Sequence, residues 1–277
     1  MPNSNNPLFK HFRQPAIYLK LPSQGKLWPT GALDLPESGD LPVYPMTVKD
    51  ELVLKTPDAL MNGESMAQTI QSCCPAIKDP WSIPLCDLDP ILIAIRLASY
   101  GNEMDITSSC TECNEKNDNT VDLNQLLDSY PQPQYGRFSF GKLSVQLKPQ
   151  YFRHMNIGNL ALFEEQRIVQ SLASSDLSDE QKNEELKKAV PRIASLTTDN
   201  IVHSIEFIET DDKQIVSEEQ YIREFIENCD RKTYDKLREI MTTAVDQNKI
   251  QPLEIECSSC SKKYQTTLNF ETSNFFA

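Results

Sequence analysis

The chain has 277 residues, of which 39% are hydrophobic and 24% charged, and its formal net charge is −13. This composition supports a packed core and excludes wholesale disorder. A protein that holds DNA or RNA through phosphates normally carries a basic stripe, and this acidic sequence has none. The most apolar stretch, residues 91–98, is interrupted by Arg96 and is far too short to span a bilayer. The sequence therefore predicts protein partners, no nucleic acid and no membrane.

The first residues carry Pro and Asn where a secretory signal has an apolar segment. The chain is therefore expected to fold in a reducing cytoplasm. In that compartment, paired Cys-x-x-Cys motifs indicate metal ligands before they indicate disulfides.

Proline spacing dominates the first 46 residues and prevents a long helix there. The prolines stand at positions 2, 7, 15, 22, 29, 36, 42 and 45. A short strand is expected at Ile17–Leu21, before a turn that ends at Gly25. A disordered tail is the alternative, but the segment is more apolar than a typical solvated tail. We expect an extended N-terminal arm over residues 1–46 that docks on its own domain or on a neighbour.

Helix-start signals divide the next part of the chain. Thr47 with Asp50 resembles a capping box, and Thr56–Pro57 is a second start. Asp89–Pro90 predicts the start of a third helix. Its apolar residues lie on nearly all sides, so this helix is expected to be central to the core.

Residues 131–250 have the pattern of an inserted domain. Alternating apolar residues around Gly141 predict a β-hairpin over residues 138–147. Helical segments follow, with predicted starts near Asn156, Ser178, Thr198, Ser217 and Tyr234. The segment from Thr198 is expected to run to about Ile208, and Ser217 with Gln220 resembles a capping box.

Two distant segments share one cysteine pattern. Cys110 and Cys113 form the first Cys-x-x-Cys pair, and Cys257 and Cys260 form the second. In both segments an apolar strand leads to the pair, and a Thr-apolar-polar-apolar strand follows after a polar return. These following strands are expected at Thr120–Leu123 and Thr267–Phe270. Each segment is therefore predicted to be a zinc knuckle within a β-hairpin.

Two such knuckles complete a tetrahedron of four thiolates around one metal ion. Zn²⁺ suits four sulfurs, and the closed shell predicts a structural role with one ion per chain. About 140 residues separate the pairs, far more than the roughly 15 to 20 of common zinc motifs. The similarity of the two segments nevertheless favours one shared site. The alternatives are a pair of disulfides in an oxidised particle, unrelated thiols, and an iron–sulfur cluster, for which no other redox signal occurs.

The other candidate residues favour structural roles. Four further cysteines are expected to be core thiols: Cys73, Cys74, Cys86 and Cys229. The histidines, at positions 11, 154 and 203, are scattered, and the acidic run over residues 176–185 is predicted to be a solvated helix face. The sequence contains no P-loop, dinucleotide-binding glycine pattern, HExxH or EF-hand loop, so no catalytic residue is predicted.

Four blocks of the sequence carry a family resemblance. They are Arg13–Gly25, Met46–Leu52, Lys55–Gly63 and Asp87–Gly101, the last of which leads into the first cysteine pair. These blocks resemble the baseplate hub proteins of T4-like contractile-tailed phages, and the resemblance covers about residues 13–125 and the second knuckle. It implies a non-enzymatic structural or assembly protein of the central tail hub, and it transfers no catalytic residues.

The predicted fold class is α+β, with a discontinuous four-Cys zinc ribbon. It comprises a Pro-rich extended N-terminal arm (1–46), a helical and zinc-ribbon core (47–130 plus 251–277), and an inserted hairpin and helical domain (131–250). The expected function is a component of a phage baseplate hub that engages other tail proteins in a ring or symmetric assembly. Its expected places are the virion tail and, during assembly, the host cytoplasm. The alternative is a zinc-ribbon nucleic-acid-binding or transcription adaptor.

Overall fold

A computed structural model of the chain describes residues 6–55, 63–173, 187, 192, 195–267 and 275–276. It has the predicted α+β character, with helices and small antiparallel sheets. The chain forms two compact units. Unit 1 comprises Met1–Pro80, Cys86–Gln132 and Lys249–Ala277, and unit 2 comprises Trp81–Leu85 and Pro133–Asn248. The residues of the predicted arm belong to unit 1, and the three-part domain division stays a prediction.

The N-terminal segment contributes a small antiparallel ladder to unit 1. One turn of 3₁₀ helix, Phe9–His11, precedes strand β1, Ile17–Leu19, which pairs with strand β2, Leu41–Val43. Both outer residues of β2 are fully buried, whereas Tyr18 in β1 is exposed. This alternation of buried and exposed side chains is the pattern of a strand with one face on a core.

Three helices follow: α1, Val48–Leu54; α2, Glu64–Cys73; and α3, Leu85–Tyr100. The predicted capping box at the start of α1 is confirmed. The Thr47 hydroxyl accepts from the Asp50 backbone N–H, and the Asp50 carboxylate accepts from the Thr47 backbone N–H at 2.7 Å. The predicted helix start at Thr56–Pro57 lies outside the described residues.

Helix α3 is buried on nearly all sides, as its apolar sequence predicts. Residues 91–95 are at most 3% exposed. The predicted start at Asp89–Pro90 is wrong, because Pro90 lies inside the helix. Proline at this position removes the N–H that would donate to the Cys86 carbonyl. Burial of the residues on both sides outweighs that loss, and the helix ends before Gly101, whose φ is +97°.

A long hairpin follows α3. Strand β3, Glu103–Ser109, pairs along its whole length with strand β4, Lys116–Asp122. Helix α4, Leu123–Asp128, begins directly afterwards, because the Asp122 carboxylate accepts from the first free N–H groups of that helix. The first cysteine pair therefore occupies the turn of a hairpin that is fixed at its far end.

Unit 2 contains a four-stranded antiparallel sheet in the order β5-β6-β7-β8. Its strands are Arg137–Phe140, Leu143–Leu147, Ile205–Glu209 and Ile215–Val216. The predicted hairpin is confirmed, since β5 and β6 pair on either side of Gly141. Gly141 has a φ of +57°, a conformation that suits glycine in a tight turn.

The helix expected from Thr198 to Ile208 is wrong in its second half. Residues 195–203 are helical, and the chain then enters β7. Strand β7 pairs with β6, and its Ile205 and Ile208 side chains are buried. The ladder hydrogen bonds and the burial of β-branched side chains outweigh the helical spacing of this stretch.

Three longer helices complete the described part of unit 2: α5, Phe152–Ala173; α6, Glu219–Asn228; and α7, Arg231–Gln247. Helix α5 begins four residues before the predicted Asn156. The predicted helix at Ser178 and the acidic run lie outside the described residues. The capping box expected at Ser217 is wrong, because Glu218 is the N-cap of α6 and its side chain makes no capping bond.

The core of unit 2 lies between its sheet and its helices. Its buried members are Val145, Leu147, Ile201, Val202, Ile205, Ile208, Ile222, Ile226, Leu237, Ile240, Met241 and Ala244. Apolar residues in α6 and α7 recur at helical spacing, which places them on one face of each helix.

The chain returns to unit 1 with strands β9, Leu253–Glu256, and β10, Lys263–Thr266, which form a second antiparallel hairpin. The second cysteine pair lies in its turn. Of the Thr267–Phe270 segment expected to be a strand, only Thr267 lies within the described residues, and it is not in a strand.

Candidate metal centre

The two cysteine turns are built on the same hairpin register. In the first hairpin, Ser109 before the pair is opposite Lys116, and in the second, Glu256 is opposite Lys263. Each turn therefore holds the same number of residues between paired positions. The similarity that the sequence predicts between the two segments extends to their strand pairing.

The turns also share their backbone hydrogen bonds. The N–H of Cys110 donates to the carbonyl of Glu115 at 2.9 Å, and the N–H of Cys257 donates to that of Lys262 at 2.9 Å. The residues directly after the two pairs have φ of +58° and +55°. This left-handed residue turns the chain back, so that both sulfurs of a pair lie on one side of the turn.

The four cysteine sulfurs lie within 4.8 Å of one another. The Cys110 and Cys260 sulfurs are 3.8 Å apart, and the Cys113 and Cys257 sulfurs are 3.6 Å apart. Four sulfurs at about 2.3 Å from a central ion would be about 3.8 Å apart at the corners of a tetrahedron. A disulfide needs about 2.0 Å. The arrangement therefore fits a metal ion, and these four residues can hold one.

Burial divides the four cysteines into two kinds. Cys110 and Cys257 are each 1% exposed, whereas Cys113 and Cys260 are exposed. Each of the two close sulfur pairs joins a buried cysteine of one hairpin to an exposed cysteine of the other. An ion at their centre would therefore link the hairpins to each other.

Asn117 supports the centre from inside and was not predicted. Its Oδ1 accepts from the backbone N–H of Ser258 at 2.8 Å and from the Ser258 hydroxyl at 2.9 Å. Its Nδ2 lies 3.6 Å from the Cys257 sulfur. The side chain thus connects the two hairpins and places a donor beside a thiolate, as outer-shell groups of metal sites do.

Two further contacts join the hairpins. The Tyr264 and Ser108 hydroxyls are hydrogen-bonded at 2.6 Å, and Lys262 pairs with Glu112 at 2.7 Å. Tyr264 and Asn117 each stand seven residues after the first cysteine of their pair. That shared position is the sequence signal that could have identified both residues.

The thiols of the centre differ in acidity. The backbone N–H groups of Cys260 and Ser259 point at the Cys257 sulfur and lower its pKa to about 6. Donation from Glu115 lowers the pKa of Cys113, but desolvation and the other three sulfurs outweigh it and raise that pKa to about 12. The cluster therefore resists holding four negative charges unless a cation neutralises them, and metal binding must release protons.

The other cysteines lie apart from this centre. Cys73, Cys74 and Cys86 are buried, and Cys229 is partly exposed. Burial raises the pKa of Cys73 to about 12, which keeps that thiol protonated and unreactive at neutral pH. Within the described residues, the four clustered cysteines are the one group of three or more Cys, His, Asp or Glu residues with metal-binding geometry.

Two of the scattered histidines meet in unit 2. The rings of His154 and His203 stack at 4.1 Å between centroids, with 9° between their planes. Burial, and then the charge of His203, lower the pKa of His154 to about 4, so this ring is neutral at neutral pH. The two histidines are 49 positions apart in the sequence, and no motif predicted their contact.

A buried carboxylate fastens the N-terminal segment to α3. Asp87 is fully buried, and its Oδ1 accepts from the backbone N–H of Ser23 at 2.9 Å. Its Oδ2 accepts from the Ser23 hydroxyl and from the Trp28 indole N–H, the latter at 2.7 Å. Burial raises the pKa of Asp87, and these donors oppose that rise.

An arginine fastens the same segment to α1 and α2. Arg13 donates to the Ser72 carbonyl at 2.9 Å, to the Ser72 hydroxyl at 2.8 Å, and to the Pro45 carbonyl. It also lies 3.3 Å from the Asp50 carboxylate of the α1 capping box. The sequence blocks of the family resemblance that begin at Arg13, Met46 and Asp87 therefore contact one another.

Fold and site define a class of protein: an α+β chain in which two equivalent hairpins bring four cysteines from distant segments into one cluster. The chain belongs to a family of phage tail proteins, because the family model described as T4 bacteriophage base plate protein matches residues 15–277. This membership places it in the baseplate of a virion tail, among other phage tail proteins. No curated protein and no solved structure matches the chain. Among the described residues, no helix is both long and apolar enough to cross a bilayer.

Proposed function

We propose that the chain is a non-enzymatic structural or assembly component of the baseplate hub, and that it engages neighbouring tail proteins in a ring or symmetric assembly. The observation that carries this proposal is the family match over residues 15–277. The hub position rests on the resemblance of the blocks that begin at Arg13, Met46, Lys55 and Asp87. Assembly would take place in the host cytoplasm.

We further propose that the four clustered cysteines bind one structural Zn²⁺. The sulfur separations of 3.6 and 3.8 Å support this proposal, because they suit a tetrahedral ion with four thiolate ligands. When bound, the ion would neutralise the thiolates and hold the two hairpins together. Four protein ligands leave no open position for a substrate, which supports a structural role rather than a catalytic one.

The composition of purified tails and of baseplate assembly intermediates tests the proposed role. We expect the chain in one or both, at a stoichiometry that quantitative mass spectrometry gives directly. If the chain is absent from both, it is neither a structural component nor an assembly component of the baseplate. Binding of DNA or RNA at physiological salt, with a steep loss at higher salt, would instead favour the nucleic-acid adaptor.

Metal analysis of a cysteine variant tests the proposed zinc. We expect about one Zn²⁺ per chain in the native protein, and loss of both metal and folding in Cys257→Ser, because binding free energy on the order of 10 kcal/mol is coupled to folding. Cys229→Ser is the matched control, since Cys229 lies outside the cluster. Elemental analysis and circular dichroism give the two readouts, and a Cys257→Ser protein that keeps both contradicts the proposal.

A further inference from the structure

The segment formed by Phe275 and Phe276, here called the Phe-Phe segment, is buried against α3. Phe275 is 3% exposed and Phe276 is 7% exposed. Their rings meet edge to face, with 5.0 Å between centroids. Residues 268–274 lie outside the described part, and the described contacts of the two rings are with α3.

Two residues one turn apart on α3 form the seat of the Phe-Phe segment. The Arg96 guanidinium carbon lies 5.5 Å from the centroid of the Phe275 ring and 5.5 Å from that of the Tyr100 ring. Arg96 also donates to the Phe275 carbonyl, and the Tyr100 hydroxyl donates to the Phe276 carbonyl at 3.4 Å. The seat therefore recognises an aromatic face and two successive carbonyl oxygens.

The seat makes specific contacts with the Phe-Phe segment, but its arginine is only partly hydrogen-bonded. A guanidinium between two aromatic rings gains cation–π attraction on both sides. The Arg96 Nε is nevertheless buried with no hydrogen-bond partner within the described residues, and desolvation lowers the pKa of Arg96. Closing the seat thus desolvates a charge that is only partly paired, which favours a contact that can open.

The length of the connection limits how far the Phe-Phe segment can reach from the second hairpin. Seven residues separate Thr267, the residue after β10, from Phe275. Eight Cα steps span at most about 28 Å when extended. Tyr100 remains 44% exposed beside the segment, so the seat lies at the surface, where a second chain has access to it.

We propose that Arg96 and Tyr100 form a binding site for a Phe-Phe segment, and that the segment of a second copy of this chain takes this place by exchange. A second copy is the proposed partner because it carries the same Phe-Phe segment that fills the seat in this structure. Exchange of an identical element preserves the contacts of Phe275 and Phe276 with Arg96 and Tyr100, and it is a low-cost route to a dimer. The proposal does not depend on the proposed function.

Two complementary variants test the exchange. Arg96→Met breaks the seat and leaves the segment free, whereas the double substitution Phe275→Ala, Phe276→Ala removes the segment and leaves the seat free. We expect each variant to be monomeric alone and the mixture to form a one-to-one dimer in sedimentation experiments. A mixture that stays monomeric at about 1 mM, the effective concentration of a short linker, would overturn the proposal.

Binding of a labelled peptide tests the seat without requiring a dimer to form. A labelled peptide of residues 271–277 should bind the chain that lacks both Phe side chains, and adding Arg96→Met to that chain should weaken binding about tenfold or more. The control peptide carries Ala at both Phe positions and should not bind. Circular dichroism checks that the variants fold, and absence of peptide binding to a folded chain with a free seat also overturns the proposal.

Discussion

Two carboxylates near the start of α3 show how neighbouring residues of one type differ by their surroundings. Asp87 is enclosed with three donors, from Ser23 and Trp28. Burial raises the pKa of Asp89 to about 6, and the charge of Lys249 lowers it by less. Burial therefore disfavours the ionised form of both carboxylates, but only Asp87 has hydrogen-bond donors that offset part of this cost.

The two aspartates should respond oppositely to the same substitution. The pKa of Asp89 is about 6 in the folded protein, and its ordinary value is 3.8. The contribution of Asp89 to folding stability is therefore fully present below pH 4, where the side chain is protonated, and is lost as pH rises through 6. Asp89→Asn should therefore stabilise the protein at pH 7 by on the order of 3 kcal/mol, and by almost nothing at pH 4. Urea unfolding from pH 4 to 8 measures this difference.

Asp87→Asn is the matched contrast. An amide in place of the carboxylate turns N–H groups toward Ser23 or Trp28, which are themselves donors. We expect a loss of about 1–3 kcal/mol at pH 7, because a buried donor is left unpaired. If Asp89→Asn destabilises the chain at pH 7 as much as Asp87→Asn does, our account of Asp89 is wrong.

Among the elements, the two cysteine hairpins depend on each other through Asn117. This side chain bonds to Ser258 and approaches the Cys257 sulfur. Asn117→Ala should lower zinc affinity about 10- to 100-fold, because it removes an outer-shell group and leaves the Ser258 N–H without its partner. Competition with a chromophoric chelator measures the affinity.

Asn228→Ala provides the control for Asn117→Ala. Asn228 is exposed and lies in α6 of unit 2, where its side chain donates to the Glu224 carbonyl. This substitution should leave zinc affinity unchanged. Equal affinities in the two variants would mean that Asn117 has no role at the metal.

The elements also show where sequence patterns were sufficient. The hairpin at Gly141, the capping box at Thr47 and the burial of α3 depend on neighbours a few residues away, and all three are confirmed. Strand β7 was predicted as helix because its pairing partner, β6, lies nearly sixty residues earlier. A local pattern carries no information about such a partner.

At the scale of the whole molecule, contacts over long sequence separations were predictable only when the sequence repeated itself. The cysteine pairs were associated because their two segments resemble each other. The stacking of His154 on His203, and the contacts of Arg96 with Phe275, had no such repeat and were not predicted. The family match covers nearly the whole chain, and the sequence blocks predicted this family. Three residues of those blocks, Arg13, Ser23 and Asp87, anchor the N-terminal segment in the structure.

The separation of the two hairpins has a consequence for the order of events during synthesis. Cys257 follows Cys110 by 147 positions. At about 5–20 residues per second, a ribosome needs roughly 7 to 30 seconds to pass from one to the other. During that interval the first pair of thiols has no partner hairpin. The amino-terminal and carboxy-terminal parts of unit 1 therefore join only after the intervening unit 2 has been translated, so that unit 1 matures last although it is begun first.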